Sequence, residues 1–320
     1  MRKKNRPAAA LKPTLSVIIA SYSSGRLLER CLDSLSRQTA QASLEVIVVD
    51  SSPGGIARRL EKAYPHFRFL HFRERKYCGE ARNCGVSRAR GKVIAFLDAD
   101  CRAFEDWAER ILKAHRAPWA AVGGSVANGN PESLTGWAAY FCEFSAWLPG
   151  LPARWMRDAA GANVSYKKKA FQAFGPLIEG TYCSDTEFHW RLIRAGNRPR
   201  FDPAIRISHH NIGKLPMYLR HEYEHGRSFG RVRRRYGNLG PIQRWALCTF
   251  IVFLPLLLLL RIGWRVMRSK SMAFPFFRAC PLLFAGLVAW SAGEFVGYLT
   301  RLPGRISLSS RSCGLEAKKA

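Results

Sequence analysis

From Leu15 onward the chain alternates short apolar runs with amphipathic stretches, and this rhythm restricts the fold more than any other feature. LSVIIA (15–20), LEVIVVD (44–50), FRFLHF (67–72) and KVIAFL (92–97) each read as a buried strand. Between them GRLLERCLDSLSRQ (25–38) places Leu28, Cys31, Leu32 and Leu35 on one helical face. A helix near 55–63 follows, GEARNCGVSRARG (79–91) reads as a helix closed by Gly91, and FEDWAERILKAH (104–115) as another. Strand then helix, repeated, predicts an α/β chain: a Rossmann-like, three-layer sheet with helices on both faces. Such sheets take ligands at the carboxyl ends of their strands. Asp50 and Asp98 both stand at such ends.

The run Ala95-Phe96-Leu97-Asp98-Ala99-Asp100 ends in two carboxylates one residue apart. They repel unless something positive sits beside them. A hard oxygen pair of this kind suits Mg²⁺ or Mn²⁺ held together with substrate phosphates. The structural alternative is a helix N-cap before FEDWAERIL, since Asp favours caps. Farther on, AAVGGSVAN (120–128) reads as a strand and SLTGWAAYFCEFSAWL (133–148) as an aromatic helix. GANVSYKKKAF (161–171) reads as a strand turning into a helix. SDTEFHWRLIRAG (184–196) is a helix with a Ser-Asp cap pattern, and RFDPAIRISHH (200–210) a strand and turn.

Lys and Arg outnumber Asp and Glu by 51 to 23, a net charge of +28, which calls for an anionic partner. Nine cysteines without a C-x-x-C pair fit neither a disulfide framework nor a zinc site and read as reduced thiols. The start, MRKKNRPAAALKP, lacks the apolar core of a signal peptide. The expected organisation is a flexible basic arm (1–13), an α/β domain (14–212), a basic amphipathic helical linker (213–244), a membrane-associated hydrophobic hairpin (245–300) and a basic tail (301–320). The hairpin rests on ALCTFIVFLPLLLLL (246–260) and PLLFAGLVAWSAG (281–293). Arg261, Arg265, Arg268, Lys270 and Arg278 lie between these runs, and the positive-inside rule opposes placing them outside. Two transmembrane helices, a re-entrant or interfacial pair, and a buried soluble hairpin all remain open. His221 and His225 share a helical face, as a metal site or as part of an amphipathic surface helix.

One ordered set ties these pieces together. Ala20-Ser21-Tyr22 follows the first strand, Asp50 ends the second, and Ala81-Arg82-Asn83-x-Gly85 lies on a helix. Asp98-x-Asp100 ends the fourth strand, and Ser184-Asp185-x-Glu187 stands downstream. In this order and spacing residues 14–212 resemble the family 2 glycosyltransferases of GT-A fold, in their membrane-associated bacterial type. The resemblance implies an inverting, metal-dependent glycosyltransferase, of hexosyltransferase kind, using a UDP-sugar or similar nucleotide-diphosphate donor. Ala20, Tyr22, Asp50, Arg82 and Asp98 would bind the nucleotide, with Arg82 contacting the base pocket or Asp50. Asp100, with Asp98 and His209, would hold Mg²⁺ or Mn²⁺. Asp185 would be the general base and Glu187 its reserve, although Ser184 stands where the family often has Glu. Gly161 and Asn163 would lie on the acceptor side.

With the charge and the apolar hairpin, the resemblance implies an anionic membrane as partner and a lipid-linked or glycan acceptor. It further implies a place on the cytoplasmic face of the inner membrane, in cell-envelope polysaccharide or glycolipid synthesis. Nucleic acid is not an expected partner, because it accounts for the charge but not for the carboxylates or the hairpin. Two alternatives stand: a membrane-attached nucleotide- or sugar-binding protein on an inactive transferase domain, and a nucleotidyltransferase. The latter wants a Gly-rich, Arg-containing loop where this chain has SYSSGRLLER.

Overall fold

The computed structural model describes residues 13–269 and 272–300. The basic arm expected over 1–13, but for its last residue, and the basic tail over 301–320 lie outside the described residues.

The first half is the anticipated alternation: β1 (Leu15–Ser21), α1 (Gly25–Ser36), β2 (Leu44–Asp50), α2 (Ile56–Ala63), β3 (Arg68–His71), α3 (Cys78–Arg88) and β4 (Val93–Leu97). It continues through β5 (Cys101–Ala103), α4 (Trp107–Ala114), β6 (Ala121–Asn128), α5 (Leu134–Phe144), β7 (Arg154–Trp155), β8 (Asn163–Lys167), α6 (Lys168–Phe174), α7 (Ser184–Arg194) and β9 (Arg200–His209). The strands form one mixed sheet in the order β3-β2-β1-β4-β8-β6-β9-β5, with β7 paired to β9. β1, β2, β3 and β4 are mutually parallel, and β8 enters antiparallel to both β4 and β6. The parallel strands are buried on both faces, which is why they read as unbroken apolar runs rather than alternating ones. Two apolar layers result, one on each side of the sheet: Leu28, Cys31, Leu32 and Leu35 of α1 join the first, Ala81 and Cys84 of α3 the second.

Two local expectations change. The helix predicted to close at Gly91 ends at Arg88, with Ala89 in extended conformation as its cap. Gly91 instead lies where a side chain would strike the β1 backbone, 2.7 Å from the Ser16 amide nitrogen, and its N–H donates to Ser16 Oγ. The Ser-Asp pattern at 184–185 is not a side-chain cap: the N-cap is Cys183, in left-handed conformation at φ 61°.

Past the sheet come α8 (Leu215–Tyr236), α9 (Pro241–Thr249), a 3₁₀ turn at Phe250–Phe253, α10 (Leu254–Arg268) and α11 (Ala273–Leu299). The stretches Pro241–Arg268 and Ala273–Leu299 are both long and apolar enough to cross a membrane. Yet α11 is docked along its length. Phe276, Ala279, Leu283 and Leu287 join the apolar layer of α1 and α5. Farther along, α11 lies on α8 through glycines on both helices. A Cβ at Gly226 would sit 2.1 Å from the Trp290 carbonyl oxygen, and one at Gly293 would sit 2.0 Å from that of Tyr223. Small residues four apart, Gly226/Gly230 and Gly293/Gly297, let the two backbones touch.

Candidate active site

The site lies along the carboxyl ends of β1, β2 and β4. At one end Ser21 is in register with Asp50. Ser21 Oγ and Ser52 Oγ both donate to Asp50 Oδ1, at 2.8 and 2.6 Å, so the buried carboxylate is fixed in orientation. Its Oδ2 accepts one longer bond, from the Ser52 amide at 3.3 Å, and keeps capacity for another donor. A pocket of about 390 Å³ opens beside it, with Arg58, Phe72 and Arg73 in its wall. Ala20 stands half-buried at the end of β1, and Tyr22 beyond it is exposed beneath the Arg75 guanidinium, 4.3 Å from the ring centre.

Arg82 of α3 is the centre of the site. Although 4 % exposed, it carries a full charge. Its Nη2 donates to Asp98 Oδ1 at 2.8 Å and to the Gly161 carbonyl at 3.0 Å, while Nη1 lies 3.8 Å from Asp185 Oδ2. Burial opposes the charge, but Asp98 and Asp185 beside it more than offset that penalty and keep Arg82 protonated. This corrects the expectation that Arg82 contacts the base pocket or Asp50: it joins Asp98 to Asp185 instead. Burial, with Asp100 nearby, pushes Asp98 above the usual carboxylate range against the pull of Arg82.

Asp100 Oδ1 lies 3.3 Å from His209 Nε2. Burial raises Asp100, His209 outweighs it, and the carboxyl settles below its ordinary value. Burial likewise works against a charged His209, yet Asp100 drives it up to about 9. The imidazole is oriented from behind: Nδ1 lies 2.9 Å from Asn211 Oδ1, and the Asn211 amide nitrogen is spent on Asn128 Oδ1 and the His209 carbonyl. Asn211 Oδ1 therefore accepts from Nδ1–H; Nε2–H donates to Asp100 while the ring is charged, and Nε2 is the nitrogen that would be free for a cation displacing that proton. Asp100, Cys101 and His209 bring their donor atoms within 4.8 Å of one another, and half-exposed Asp98 is two residues before Asp100. Two carboxylates and an oriented imidazole fit a divalent cation. The buried Cys101 thiol, raised by burial and by Asp100, is a poor partner for a hard one.

Asp185 opens α7 with its carboxylate one-fifth exposed, and its Oδ1 accepts from the Thr186 amide at 3.0 Å. Gly161 faces it so closely that a Cβ there would fall 2.0 Å from Asp185 Oδ2. The other two residues expected here are used elsewhere. Glu187 is buried and paired with Arg191 at 2.8 Å, and that arginine also donates to the carbonyls of Phe174 and Pro176. It ties α7 to the turn after α6 and does not reach the site. Asn163 is buried with every polar atom engaged. It accepts from Trp107 Nε1 and donates to the carbonyls of Ser125 and Ile205, so it locks β8 to β6 and β9 rather than meeting an acceptor.

Sequence reasoning missed the second clamp on this loop. His189 Nδ1 lies 2.5 Å from Asp158 Oδ1 and its Nε2 lies 2.7 Å from the Tyr166 hydroxyl, while Thr186 Oγ1 donates to Asp158 Oδ2. The loop bearing Gly161 is thereby fastened to the helix bearing Asp185. His221, expected on a surface or at a metal, pairs with Glu143 of α5 at 3.1 Å, and Glu143, His221 and Glu222 gather their donor atoms within 4.8 Å.

A mixed sheet of this order, with acidic side chains at the carboxyl ends of its strands, has the GT-A fold, and the relatives make it a glycosyltransferase. The comparisons agree. The family model described as Glycosyl transferase family 2 matches residues 16–174. The glycosyltransferase AglE of Haloferax volcanii is 37 % identical over 245 residues, 73 % of this chain and 75 % of that protein. The succinoglycan biosynthesis protein ExoO of Rhizobium meliloti is 28 % identical over 63 % of this chain and 55 % of its own length. Among solved structures, the mannosyltransferase PcManGT of Pyrobaculum calidifontis, in complex with GDP-Man and Mn²⁺, matches with a TM-score of 0.60 at 19 % identity. That match covers 88 % of this chain and 87 % of the other. S. aureus TarS 1-349, in complex with UDP-GlcNAc, gives 0.51 at 14 % identity, over 84 % and 90 %. The chain belongs to glycosyl transferase family 2.

Proposed function

We propose that this enzyme moves a hexose from a nucleotide-diphosphate donor, UDP-linked by preference, to a hydroxyl of a lipid-linked acceptor, with inversion at the anomeric carbon. The observation that carries the reading is the position of Arg82, one buried guanidinium held between the carboxylate of the Asp-x-Asp pair and Asp185. Through it the carboxylate assigned to the donor side and the partly exposed carboxylate assigned as base lie on either side of one guanidinium. Asp50 Oδ2 accepts the imide N–H of a uracil, and Tyr22 with Arg75 over it offers a face for the base. Asp98, Asp100 and His209 would hold Mg²⁺ or Mn²⁺, which when bound supplies positive charge to the departing diphosphate. Asp185 takes the proton of the acceptor hydroxyl as that oxygen attacks. Gly161, lacking a side chain, leaves the approach to Asp185 open. A single displacement from the far face inverts the configuration, and Glu187 is withdrawn into its pair with Arg191, so α7 offers no second carboxylate to form a covalent intermediate.

The neighbour with GDP-Man and Mn²⁺ supports a cation-dependent reaction, and both neighbours support a nucleotide-sugar donor; the preference for uridine rests on Asp50 alone. A screen of UDP- and GDP-sugars for donor turnover with Mn²⁺, with the product's anomeric configuration read by NMR, tests the reading. Turnover of none, or a retained configuration, overturns it. EDTA is expected to lower transfer by about 10²-fold, because several kcal/mol of charge stabilisation is withdrawn, and Mn²⁺ to restore it. Full activity after chelation refutes the cation role of Asp98, Asp100 and His209.

The membrane reading also becomes specific. α11 lies on α8 along much of its length, and α8 carries six arginines. If α11 crossed the bilayer, α8 would share its depth, at about 2.5–3.5 kcal/mol for each arginine brought to the centre. We infer that the hairpin lies in the cytoplasmic interface of the inner membrane and does not span it. Its lipid-facing side is the exposed row of Leu256, Leu257, Leu260 and Trp264, with Phe250 and Phe253 in the preceding turn. Replacing Leu256, Leu257, Leu260 and Trp264 together by serine is expected to abolish flotation with anionic vesicles, since each apolar side chain contributes up to ~1.5–3 kcal/mol of burial. Unchanged flotation would place the anchor elsewhere. The likeness to a succinoglycan biosynthesis protein supports an envelope-polysaccharide or glycolipid role.

A further inference from the structure

Beside the candidate site, between the α5 end, the loop of β7 and α10, lies a pocket of about 500 Å³ walled by five arginines: Arg154, Arg157, Arg261, Arg265 and Arg268. Its two carboxylates, Glu143 and Asp158, lie beside histidines, His221 at 3.1 Å and His189 at 2.5 Å, and against five arginines they leave the pocket net positive. Among the described residues, none of the five arginines forms an ion pair. Arg154 donates to the Ala146 and Pro152 carbonyls, Arg265 donates to Ser145 Oγ, and Arg268 lies over the Trp264 ring. Burial and the neighbouring Arg268 both lower Arg154 from its ordinary value, the mark of cations crowded without a counter-ion. Arg154 and Arg265 are partly buried and Arg157, Arg261 and Arg268 are exposed, so the pocket is an accessible concentration of positive charge suited to an anion entering from solvent or the membrane surface.

The pocket adjoins a second, mostly apolar cavity of about 910 Å³ between α8, α9, α10 and α11, lined by Leu254, Leu257, Leu258, Leu287 and Trp290. Cys142, Ser145, Arg261 and Arg265 line both. At its inner end the arginine pocket reaches Asp158, which accepts from Thr186, the residue after Asp185. The arginine pocket thus shares walls with the apolar cavity and is linked, through Asp158 and Thr186, to the residue next to the proposed base.

We propose that the arginine pocket binds the diphosphate of a lipid diphosphate, that the apolar cavity takes the first part of its chain, and that the sugar it carries presents its hydroxyl to Asp185. This rests on the transferase reading above and names its acceptor class. A diphosphate suits five unpaired arginines better than the single charge of a phospholipid headgroup, and guanidinium forks pair with phosphate oxygens two at a time.

The test uses the full-length protein in neutral detergent, with saturating UDP and Mn²⁺ to fill the donor site. The probe is farnesyl diphosphate; farnesol, inorganic diphosphate and phosphatidylglycerol are its controls. Farnesyl diphosphate is expected to bind at least about tenfold more tightly than farnesol or diphosphate alone, and phosphatidylglycerol at equal concentration should not displace it. Arg157→Gln with Arg268→Gln should weaken the probe by about tenfold or more while thermal midpoint and UDP affinity stay at wild-type values. Unchanged probe binding in that double variant, or displacement by phosphatidylglycerol, overturns the proposal. The two readings fail separately: UDP binding and donor turnover without probe binding sink the lipid diphosphate site, and probe binding without any donor turnover sinks the transferase reading.

Discussion

Asp185→Asn is expected to lower the transfer rate by about 10²–10⁴-fold, the usual contribution of a positioned proton acceptor, with donor affinity little changed. The substitution is nearly isosteric. The carboxamide oxygen it introduces still accepts from the Thr186 amide, and Arg82 keeps its shorter bond to Asp98. What disappears is a basic oxygen beside the acceptor path at Gly161. The loss should therefore fall on kcat, with the dissociation constant of UDP in the presence of Mn²⁺ measured by titration calorimetry as the control. If kcat drops less than tenfold, Asp185 is not the base, and Asp158 is the next carboxylate to examine, since Thr186 holds it close to the head of α7. If donor affinity collapses along with kcat, Asp185 serves the donor side and the division of roles fails.

The parts of the fold legible in the sequence were those made by near neighbours or by repeated pattern. β1, β2 and β4 read as nearly unbroken apolar runs because both of their faces are buried, while the edge strand β3 keeps only Phe69 and Leu70 inside; the carboxyl ends of β2 and β4 are marked by Asp50 and Asp98, which no apolar core would accept there. β5 was not legible: Cys101–Ala103 is three residues long and is a strand only because Cys101 pairs with His209, far down the chain. The same limit explains the misjudged site residues. Asn163 looked like a loop amide, but its partners Trp107, Ser125 and Ile205 lie 38 to 56 positions away. Glu187 looked like a spare carboxylate. Its ion pair with Arg191, one helical turn on, was visible as spacing, although its burial was not. Asp158 and His189 carried no local mark of their pairing. The docking of α11 did leave one, in the four-residue spacing of Gly226/Gly230 and Gly293/Gly297, which reads as close helix contact once both segments are taken as helices.

Replacing Arg82 by methionine, close in volume and without charge, is expected to cost about 1–3 kcal/mol of stability at neutral pH, less than for a fully buried pair because the carboxylates left behind, Asp98 and Asp185, are partly open to water. In a chain of this size that is a fall in Tm of roughly several degrees. The pH dependence separates this from a packing defect. Burial and Asp100 already hold Asp98 above its ordinary range, so its charged form is disfavoured by folding, and Arg82 is what limits that shift. Without Arg82 the folded-state pKa of Asp98 rises further. The folded chain then binds more protons than the unfolded one between the unfolded carboxylate pKa and the raised folded one, and stability falls as pH rises through that window. The deficit of the variant should accordingly be largest at neutral pH and shrink as the solution is acidified toward the ordinary Asp range. A packing defect would give a deficit independent of pH. Arg82→Lys keeps the charge but not the fork that reaches Asp98, Gly161 and Asp185 together, so it should recover much of the stability and little of the activity. A methionine variant as stable as the wild type across this range would show that Arg82 is not the group balancing the two carboxylates, and the proposed link between the donor side and Asp185 would lose its main support.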